Sequence, residues 1–527
     1  MALDLAVCSR ARLARDARFD GKFFIAVLST KIYCRPICRS RTSGEARVRY
    51  YPTAAAAAEA GFRPCLRCRP ECSPGSPAWA GTRNSVSRAL QLIYEGGLEN
   101  GGVEHLAEHL GMGARHLRRL FVKHLGATPS AVAQTRRLNF AKKLIDETRL
   151  RMSEVALASG FASVRRFNAT IQQVYHRTPT QVRCLARQMG QQPANRAAKQ
   201  AAEEPENCYR FHLDFRPPYK WGCVLAFLGG SAVPGVEAVK DGRYLRTISV
   251  RNGCGYFEVS LDRLKNALAV RIQIKDARSL FFITEKVRAM FDLNADWEAI
   301  AKMLRSDRML GRALETEAGV RVPGCWSGYE LTTMAILAQG NADAAASLAG
   351  KIARYFGQRF AGPDGLTHVF PTSEVLADAN LTNIGLPKTS AEAIRGLARA
   401  VCDQQITFDG MADSEDFRER LCEIPGIERQ TAEYAAMRAL RDPDAFPTGK
   451  LMFGESAARN VIRRLEQRSQ SWRPWRAYAA MLQWQVDNRR SADTAEAVAP
   501  LGFAAQAMSS RTGKEASVSA RARGLGA

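Results

Sequence analysis

A chain of 527 residues with 46% hydrophobic content can fill the cores of several domains. Its formal net charge of +24 exceeds what solubility requires and suits a polyanionic partner. No apolar run approaches the roughly 18 residues of a membrane span. The start, MALDLAVCSRARLARDARF, lacks the apolar segment and small-residue cleavage site of a secretion signal, so a cytoplasmic, nucleoid-associated protein with no membrane partner is expected. The thirteen cysteines form no disulfide-like framework, which fits that compartment.

Four cysteines come early. Cys34 and Cys38 stand at C-x3-C spacing and Cys65 and Cys68 at C-x2-C, with Pro36 and Pro64 stiffening the turns. Such pairs can aim four sulfurs at one tetrahedral Zn2+, whose charge lowers thiol pKa values enough to supply thiolates at neutral pH. Spacing alone fits a closed structural knuckle; a metal-bound thiolate is also a nucleophile, so a reactive centre stays open. Residues 53–60, TAAAAAEA, read as a short helix that Gly61 stops and that sets Cys65 and Cys68. Ser73–Pro74–Gly75–Ser76–Pro77 reads as a hinge.

From about 84 to 185 the pattern is helical and repeats. Leu106, Ala107 and Leu110 run into Gly111, followed by Leu117, Leu120 and Phe121; Val155 and Ala156 run into Gly160, followed by Phe167, Ile171 and Val174. Thr128–Pro129 and Thr178–Pro179 are read as closing the two units of a tandem helix–turn–helix. Arg115, His116, Arg118, Arg119 and Lys123 are left outside in the first unit, and Arg165, Arg166, Asn168, Gln172 and Gln173 in the second. These residue types pair with base edges and phosphates, although one such face is equally a solvated basic helix.

Residues 186–207 are polar and aperiodic, as in a flexible linker. Period-two alternation then follows: Tyr209, Phe211, Leu213 and Phe215; Phe257, Val259 and Leu261; Leu268, Val270, Ile272 and Ile274. These predict half-buried antiparallel strands. Beyond about 285 the pattern is helical until roughly 490, and the basic, small-residue stretch 496–527 reads as a disordered tail.

Three resemblances add to this. The runs Arg15–Asp16–Ala17–Arg18–Phe19–Asp20–Gly21–Lys22–Phe23–Phe24, Ile32–Tyr33–Cys34–Arg35–Pro36 and Gly61–Phe62–Arg63–Pro64–Cys65–Leu66–Arg67–Cys68–Arg69–Pro70 closely resemble the N-terminal domain of the Ada family. The resemblance implies that Cys34 takes a methyl group from a DNA methylphosphotriester while Cys34, Cys38, Cys65 and Cys68 hold zinc. Lys31 stands where that family usually has Gly, and Arg39–Ser40 where it has Pro–Ala. The block from Val86 to Arg183, including Ala156–Leu157–Ala158–Ser159–Gly160–Phe161, resembles the AraC-type DNA-binding domain. Residues 209–495 resemble AlkA-type 3-methyladenine DNA glycosylases through Arg216–Pro217–Pro218–Tyr219, Val322–Pro323–Gly324–Cys325–Trp326, Gly365–Leu366–Thr367–His368, Ile424–Pro425–Gly426–Ile427 and Trp472–Arg473–Pro474–Trp475. That implies a small sheet domain and a helix–hairpin–helix bundle, an enzyme that flips out a damaged base and stabilises a sugar cation.

The second half departs from its family at the pocket. Within Phe446–Pro447–Thr448–Gly449–Lys450–Leu451, Lys450 stands at the family's catalytic Asp position. A carboxylate about 4 Å from a unit positive charge is worth roughly 4 kcal/mol at an effective dielectric of 20, and an ammonium there has the wrong sign. Glu428 replaces a hairpin glycine near Gly426, where backbone N–H groups meet a DNA phosphate; Gln430 replaces a stacking aromatic; Gly340, after Gln339, replaces a bulky wedge; Lys220 replaces an Asp. Tyr434 is retained in the pocket. Asp442 and Asp444 lie close in sequence but outside the pocket. A Schiff base on Lys450 is disfavoured, because related lyases place their lysine at the position of Gln430.

The expected protein is multidomain α+β: a zinc-bound α/β methyl-acceptor domain (1–76), an all-α tandem helix–turn–helix (84–185), a linker (186–207), an antiparallel-sheet domain (208–284), a helix–hairpin–helix glycosylase domain (285–495) and the tail (496–527). The expected function is methyl transfer from DNA to Cys34 that activates sequence-specific binding, fused to an impaired glycosylase. A fully active fusion and a zinc-dependent transcription factor without methyl transfer are the alternatives. Expected partners are double-stranded DNA, methylated or at promoters, and RNA polymerase, for a monomer.

Overall fold

The computed structural model describes residues 3–40, 44–74, 86, 89–90, 92–93, 102–188, 207–250, 253–408, 414–448 and 459–494. Two compact units emerge, one of residues 1–219, 248–299 and 409–411, the other of 220–247, 300–408 and 412–527. The division falls inside the stretch read as one sheet domain. The expected tail and most of the expected linker and hinge lie outside the described residues.

In the first unit, helix α1 (Leu5–Ala14) begins where the Asp4 carboxylate accepts hydrogen bonds from Ala6 N and Val7 N. Strands β1 (Phe24–Val27), β2 (Ile32–Cys34), β3 (Val48–Tyr51) and β4 (Arg63–Pro64) form a sheet of order β3-β1-β2-β4. Alternation from Phe23 into β1 fills two cores: Phe23, just before the strand, and Ile25 pack with Cys8 and Ala11 of α1, Phe24 and Ala26 with Tyr33, Ala57 and Phe62. The alanine run forms α2 (Ala54–Glu59), capped by Thr53 and ended before Gly61 at φ +84°.

Helices α3 (Gly102–His109) and α4 (Ala114–Leu125) form the first helix–turn–helix pair, and α6 (Met152–Ala158) and α7 (Val164–Tyr175) the second. Gly111 and Gly160 make the tight turns at φ +64° and +75°. Between and after them lie α5 (Pro129–Glu147) and α8 (Pro179–Gln188). The Thr–Pro pairs therefore open helices rather than close units. Thr128 and Thr178 cap the free N–H groups of Ala131 and Gln181, and the prolines occupy the first turn, where no N–H is needed. Helix α8 also runs on to Gln188, two residues past the expected start of the linker.

The alternating stretches form β5 (Cys208–Asp214) and, in the same unit, β8 (Gly253–Asp262) and β9 (Ala267–Gln273). β9 pairs antiparallel with both others, so Phe211, Val270 and Val259 fall in one cross-strand row and Leu213, Leu268 and Leu261 in the next. Helix α10 (Leu280–Met290) follows.

The second unit holds α9 (Trp221–Gly230) and the β6 (Glu237–Lys240) to β7 (Arg243–Val250) hairpin. Its bundle is built on α11 (Gly328–Gly340), buried continuously from Tyr329 to Ala338. Also in it are α12 (Ala342–Phe356), α13 (Lys388–Cys402), α14 (Ser414–Glu423) and α15 (Arg429–Arg438). A helix covered on every side needs no polar face, which is why α11 shows no amphipathic stripe. Among the described residues no helix is long and apolar enough to cross a membrane.

Candidate metal centre and nucleic-acid interface

Parallel pairing of Ile32 with Arg63 and Tyr33 with Pro64 lays the ends of β2 and β4 side by side, and Cys65 N donates to Tyr33 O at 3.0 Å. Each strand then turns, Cys38 N reaching Arg35 O at 3.1 Å and Arg69 N reaching Cys65 O at 3.2 Å. The result brings Cys34, Cys38, Cys65 and Cys68 together with all four Sγ atoms within 4.8 Å of one another. Zinc–sulfur bonds of roughly 2.3 Å separate tetrahedral sulfurs by about 3.8 Å, so the donor set fits the ion.

The sulfurs differ in surroundings. Arg35 N donates to Cys68 Sγ at 3.4 Å, Ser40 Oγ lies 3.3 Å from Cys38 Sγ, and Cys65 is buried. Cys34, Cys38 and Cys68 are all half-buried. Hydrogen bonds among the clustered sulfurs drive Cys38 down and hold Cys34 and Cys68 up, as expected of thiols too close to ionise together without a cation. Lys31 turns the chain between β1 and β2 at φ +55°, a conformation that favours glycine, and its ammonium sits 5.2 Å from the centre of the Phe62 ring. Cys72, one of two further cysteines in this domain, stands apart from the cluster. Burial pushes it up to about 12, and Lys143 Nζ is 3.9 Å away.

On the helix–turn–helix units, Leu117, Phe121 and Leu125 of α4 and Phe167, Ile171 and Tyr175 of α7 face inward. Arg115, His116, Arg118, Arg119 and Lys123 are exposed, as are Arg165, Arg166, Asn168, Gln172 and Gln173. Arg118 pairs with Glu104 at 2.5 Å, leaving it less available than its neighbours.

In the second unit Gly426 makes the hairpin turn at φ +88°. Gln339, expected at the pocket, is hydrogen-bonded to that hairpin. Its Nε2 donates to Gly426 O at 2.9 Å, and its Oε1 accepts from Glu428 N at 3.2 Å and from the Thr431 hydroxyl. Glu428 precedes α15, and its carboxylate accepts a hydrogen bond from Gln430 Nε2. Gly340 is exposed, and a Cβ there would meet only Ser390 Oγ at 3.9 Å. Lys450 lies outside the described residues.

Tyr434 lines a cavity of about 40 Å³ with Glu237, Arg246, Cys325, Glu330 and Arg438. The buried Arg438 guanidinium donates to Tyr434 Oη at 2.7 Å, Pro323 O at 2.9 Å and Gly324 O at 3.0 Å, and lies 4.9 Å from the Phe227 ring centre. Arg246 binds Glu330 at 2.7 Å and Glu237 at 3.1 Å, and burial raises Glu330. Asp442 is held by Arg418 at 2.7 Å and Asp444 by Arg476 at 2.9 Å and by Arg473. Lys220 pairs with buried Glu317.

Comparison with known proteins matches the metal binding domain of Ada to residues 7–71, a helix-turn-helix domain to 106–184 and the AlkA N-terminal domain to 210–327. A Mycobacterium tuberculosis protein named probable bifunctional transcriptional activator/DNA repair enzyme AlkA is 38% identical over 487 residues, 91% of this chain and 96% of that one. DNA-3-methyladenine glycosylase 2 of Escherichia coli is 29% identical over 282 residues, 53% of this chain and 97% of its own. The bifunctional transcriptional activator/DNA repair enzyme Ada of Escherichia coli is 39% identical over 122 residues, 23% of this chain and 33% of its own. With the cysteine cluster, the Ada match makes the centre a Zn2+ site.

Proposed function

Because the chain belongs to the family of bifunctional transcriptional activators and DNA repair enzymes that join Ada-like and AlkA-like modules, we propose that its first half is a self-methylating damage sensor. Bound zinc keeps the four cysteines as thiolates near neutral pH. Cys34 Sγ attacks the methyl carbon of a DNA methylphosphotriester, the carbon–oxygen bond breaks, and the phosphate leaves as a diester anion. The match to the metal binding domain of Ada supports this choice, and the surroundings of the other three sulfurs agree with it. Cys65 is buried, Cys68 accepts the Arg35 amide, and Cys38 lies beside Ser40. Donors at a thiolate withdraw the electron density that attack needs.

Methylation takes the centre from a charge of −2 to −1. At roughly 10 Å from a DNA phosphate that change is worth about 0.4 to 1.7 kcal/mol for dielectrics of 80 to 20, in favour of binding. Promoter binding by α4 and α7, through Arg115, His116, Arg119, Arg165, Arg166 and Asn168, would tighten accordingly and recruit RNA polymerase, in the cytoplasm and as a monomer. Incubation with methylphosphotriester DNA followed by intact-mass measurement should show one methyl group, absent in Cys34→Ser. An unmodified wild-type chain whose promoter binding still needs zinc would favour a regulator without methyl transfer.

The AlkA-type half is read as an impaired glycosylase that keeps DNA affinity. The Glu428 amide is engaged by Gln339, its carboxylate repels a phosphate, and Gly340 offers no wedge. A fully active enzyme needs a free carboxylate, yet Glu237 and Glu330, which reach the cavity of Tyr434, are both bound to Arg246. Counting bases released from alkylated DNA should give little or no excision, and Lys450→Asp alone should not restore it fully. Near-normal turnover by the wild-type chain would overturn this part.

A further inference from the structure

Arg35, between ligand Cys34 and Pro36, is 4% exposed and touches both cysteine loops. Its amide donates to Cys68 Sγ at 3.4 Å, and its Nη1 donates to Cys68 O at 3.3 Å and Arg69 O at 3.4 Å. The rest of the guanidinium is held by two carboxylates. Nε binds Asp20 at 2.9 and 3.1 Å, and Nη2 binds Asp20 and, at 2.8 Å, Asp214 Oδ2. Asp214 ends β5, the first strand of the AlkA-type sheet.

Two residues on, Arg216 is 1% exposed; its Nε donates to Asp20 O at 2.8 Å and its Nη1 to Asn294 O at 2.6 Å. Gly21 fits this seat because it has no side chain: its φ is +73°, and a Cβ would stand 2.0 Å from Pro74 O and 3.3 Å from Arg216 Nη2. Arg35, set against the zinc-ligand loops, is thus held between half-buried Asp214 and buried Asp20, and Arg216 in turn holds Asp20 through its backbone carbonyl.

We infer that Asp214 and Arg216 of the AlkA-type half are positioning residues for the methyl-acceptor centre, acting through Arg35 and Asp20; the methyl-transfer part of this rests on the role proposed for Cys34. Without the Asp214 charge, Arg35 is less fully compensated beside the ligand sulfurs and loses one of the two carboxylate anchors that fix its reach across the loops. The thiolates become poorer nucleophiles and the Cys65–Cys68 loop loosens. Partners behind metal ligands typically change affinity or activity by about 10- to 100-fold when removed.

The test uses the full-length zinc protein and its Co2+-substituted form. Asp214→Asn should shift the sulfur-to-cobalt absorption bands, speed zinc release to a chelator by about 10-fold, and slow the limiting rate of methyl uptake by a similar factor with little change in half-saturating DNA. Asp214→Glu, which keeps the charge, should recover most of each. Arg216→Lys provides a second break, at the hold on Asp20, and should move the same bands. Asp296→Asn cuts the nearby 2.7 Å Lys22 pair without touching Arg35 and should leave bands and release unchanged. Wild-type spectra and zinc release in both Asp214→Asn and Arg216→Lys would overturn the inference, as would equal shifts in Asp296→Asn. If the wild-type chain takes up no methyl group, the role of Cys34 fails while the cobalt and chelator readouts still decide the link.

Discussion

Glu147, at the end of α5, ties three parts of the first unit together. Arg69 Nη2 from the zinc domain binds its Oε1 at 2.6 Å, Lys143 Nζ at 3.2 Å, and His212 N of β5 donates to Oε2 at 3.2 Å; Cys72 Sγ lies 3.9 Å away. Burial alone would raise this carboxyl, but Lys143 and Arg69 overcome it and hold it at about 2, against 4.5 for a free glutamate. A folded-state pKa below the unfolded one contributes stability that is complete above about pH 4.5 and disappears as the pH falls through about 2. The difference amounts to roughly 3 kcal/mol at pH 7 and roughly 1 kcal/mol at pH 3. Glu147→Gln should therefore destabilise the unit by roughly 3 kcal/mol at pH 7 and progressively less in acid. Urea denaturation followed by circular dichroism at several pH values measures both. A loss under 1 kcal/mol at neutral pH, or one that does not shrink on acidification, would refute the reasoning.

Gln339→Ala removes three hydrogen bonds from the hairpin, each worth about 1 kcal/mol, so amide exchange over 424–431 should accelerate by about 30-fold or more; unchanged exchange would deny Gln339 that role. Gly340→Leu should leave stability unchanged or raise it by up to about 1 kcal/mol, because the site is open and leucine favours a helix more than glycine does; a thermal melt checks this. Chelating the zinc should cost exchange protection first at 34–38 and 63–69, while α11 keeps its own.

The centre was legible because its ligands are paired locally: spacing of two or three residues forces each pair onto one turn, and the two turns had only to be brought together. The sheet and helix faces were legible for a similar reason, since Phe211, Leu213, Leu117 and Phe121 repeat at the periods of a strand and a helix. Ion pairs leave no such trace. Lys142, Lys143 and Asp146 of α5 are charged yet buried, paired with Glu71, Glu147, Arg69 and one another. Nothing near Arg35 announces a partner 179 residues away. Helix α9 escaped because its run is apolar on every side, and the Thr–Pro pairs were misread because a cap and a stop use the same residues. The hairpin bonds of Gln339 had no trace in the sequence either, although an amide beside a tight turn can satisfy the turn itself.

Helix α5 packs against α3 and α4 on one side of the repeat and against α6 and α8 on the other. Its 19 residues make a rod of about 28 Å. On the promoter-binding role proposed for α4 and α7, a rod of fixed length sets the distance between them, so an operator is expected to present its two halves at one phase. Inserting about half a turn of duplex, roughly 5 base pairs, between them would leave either half bound alone.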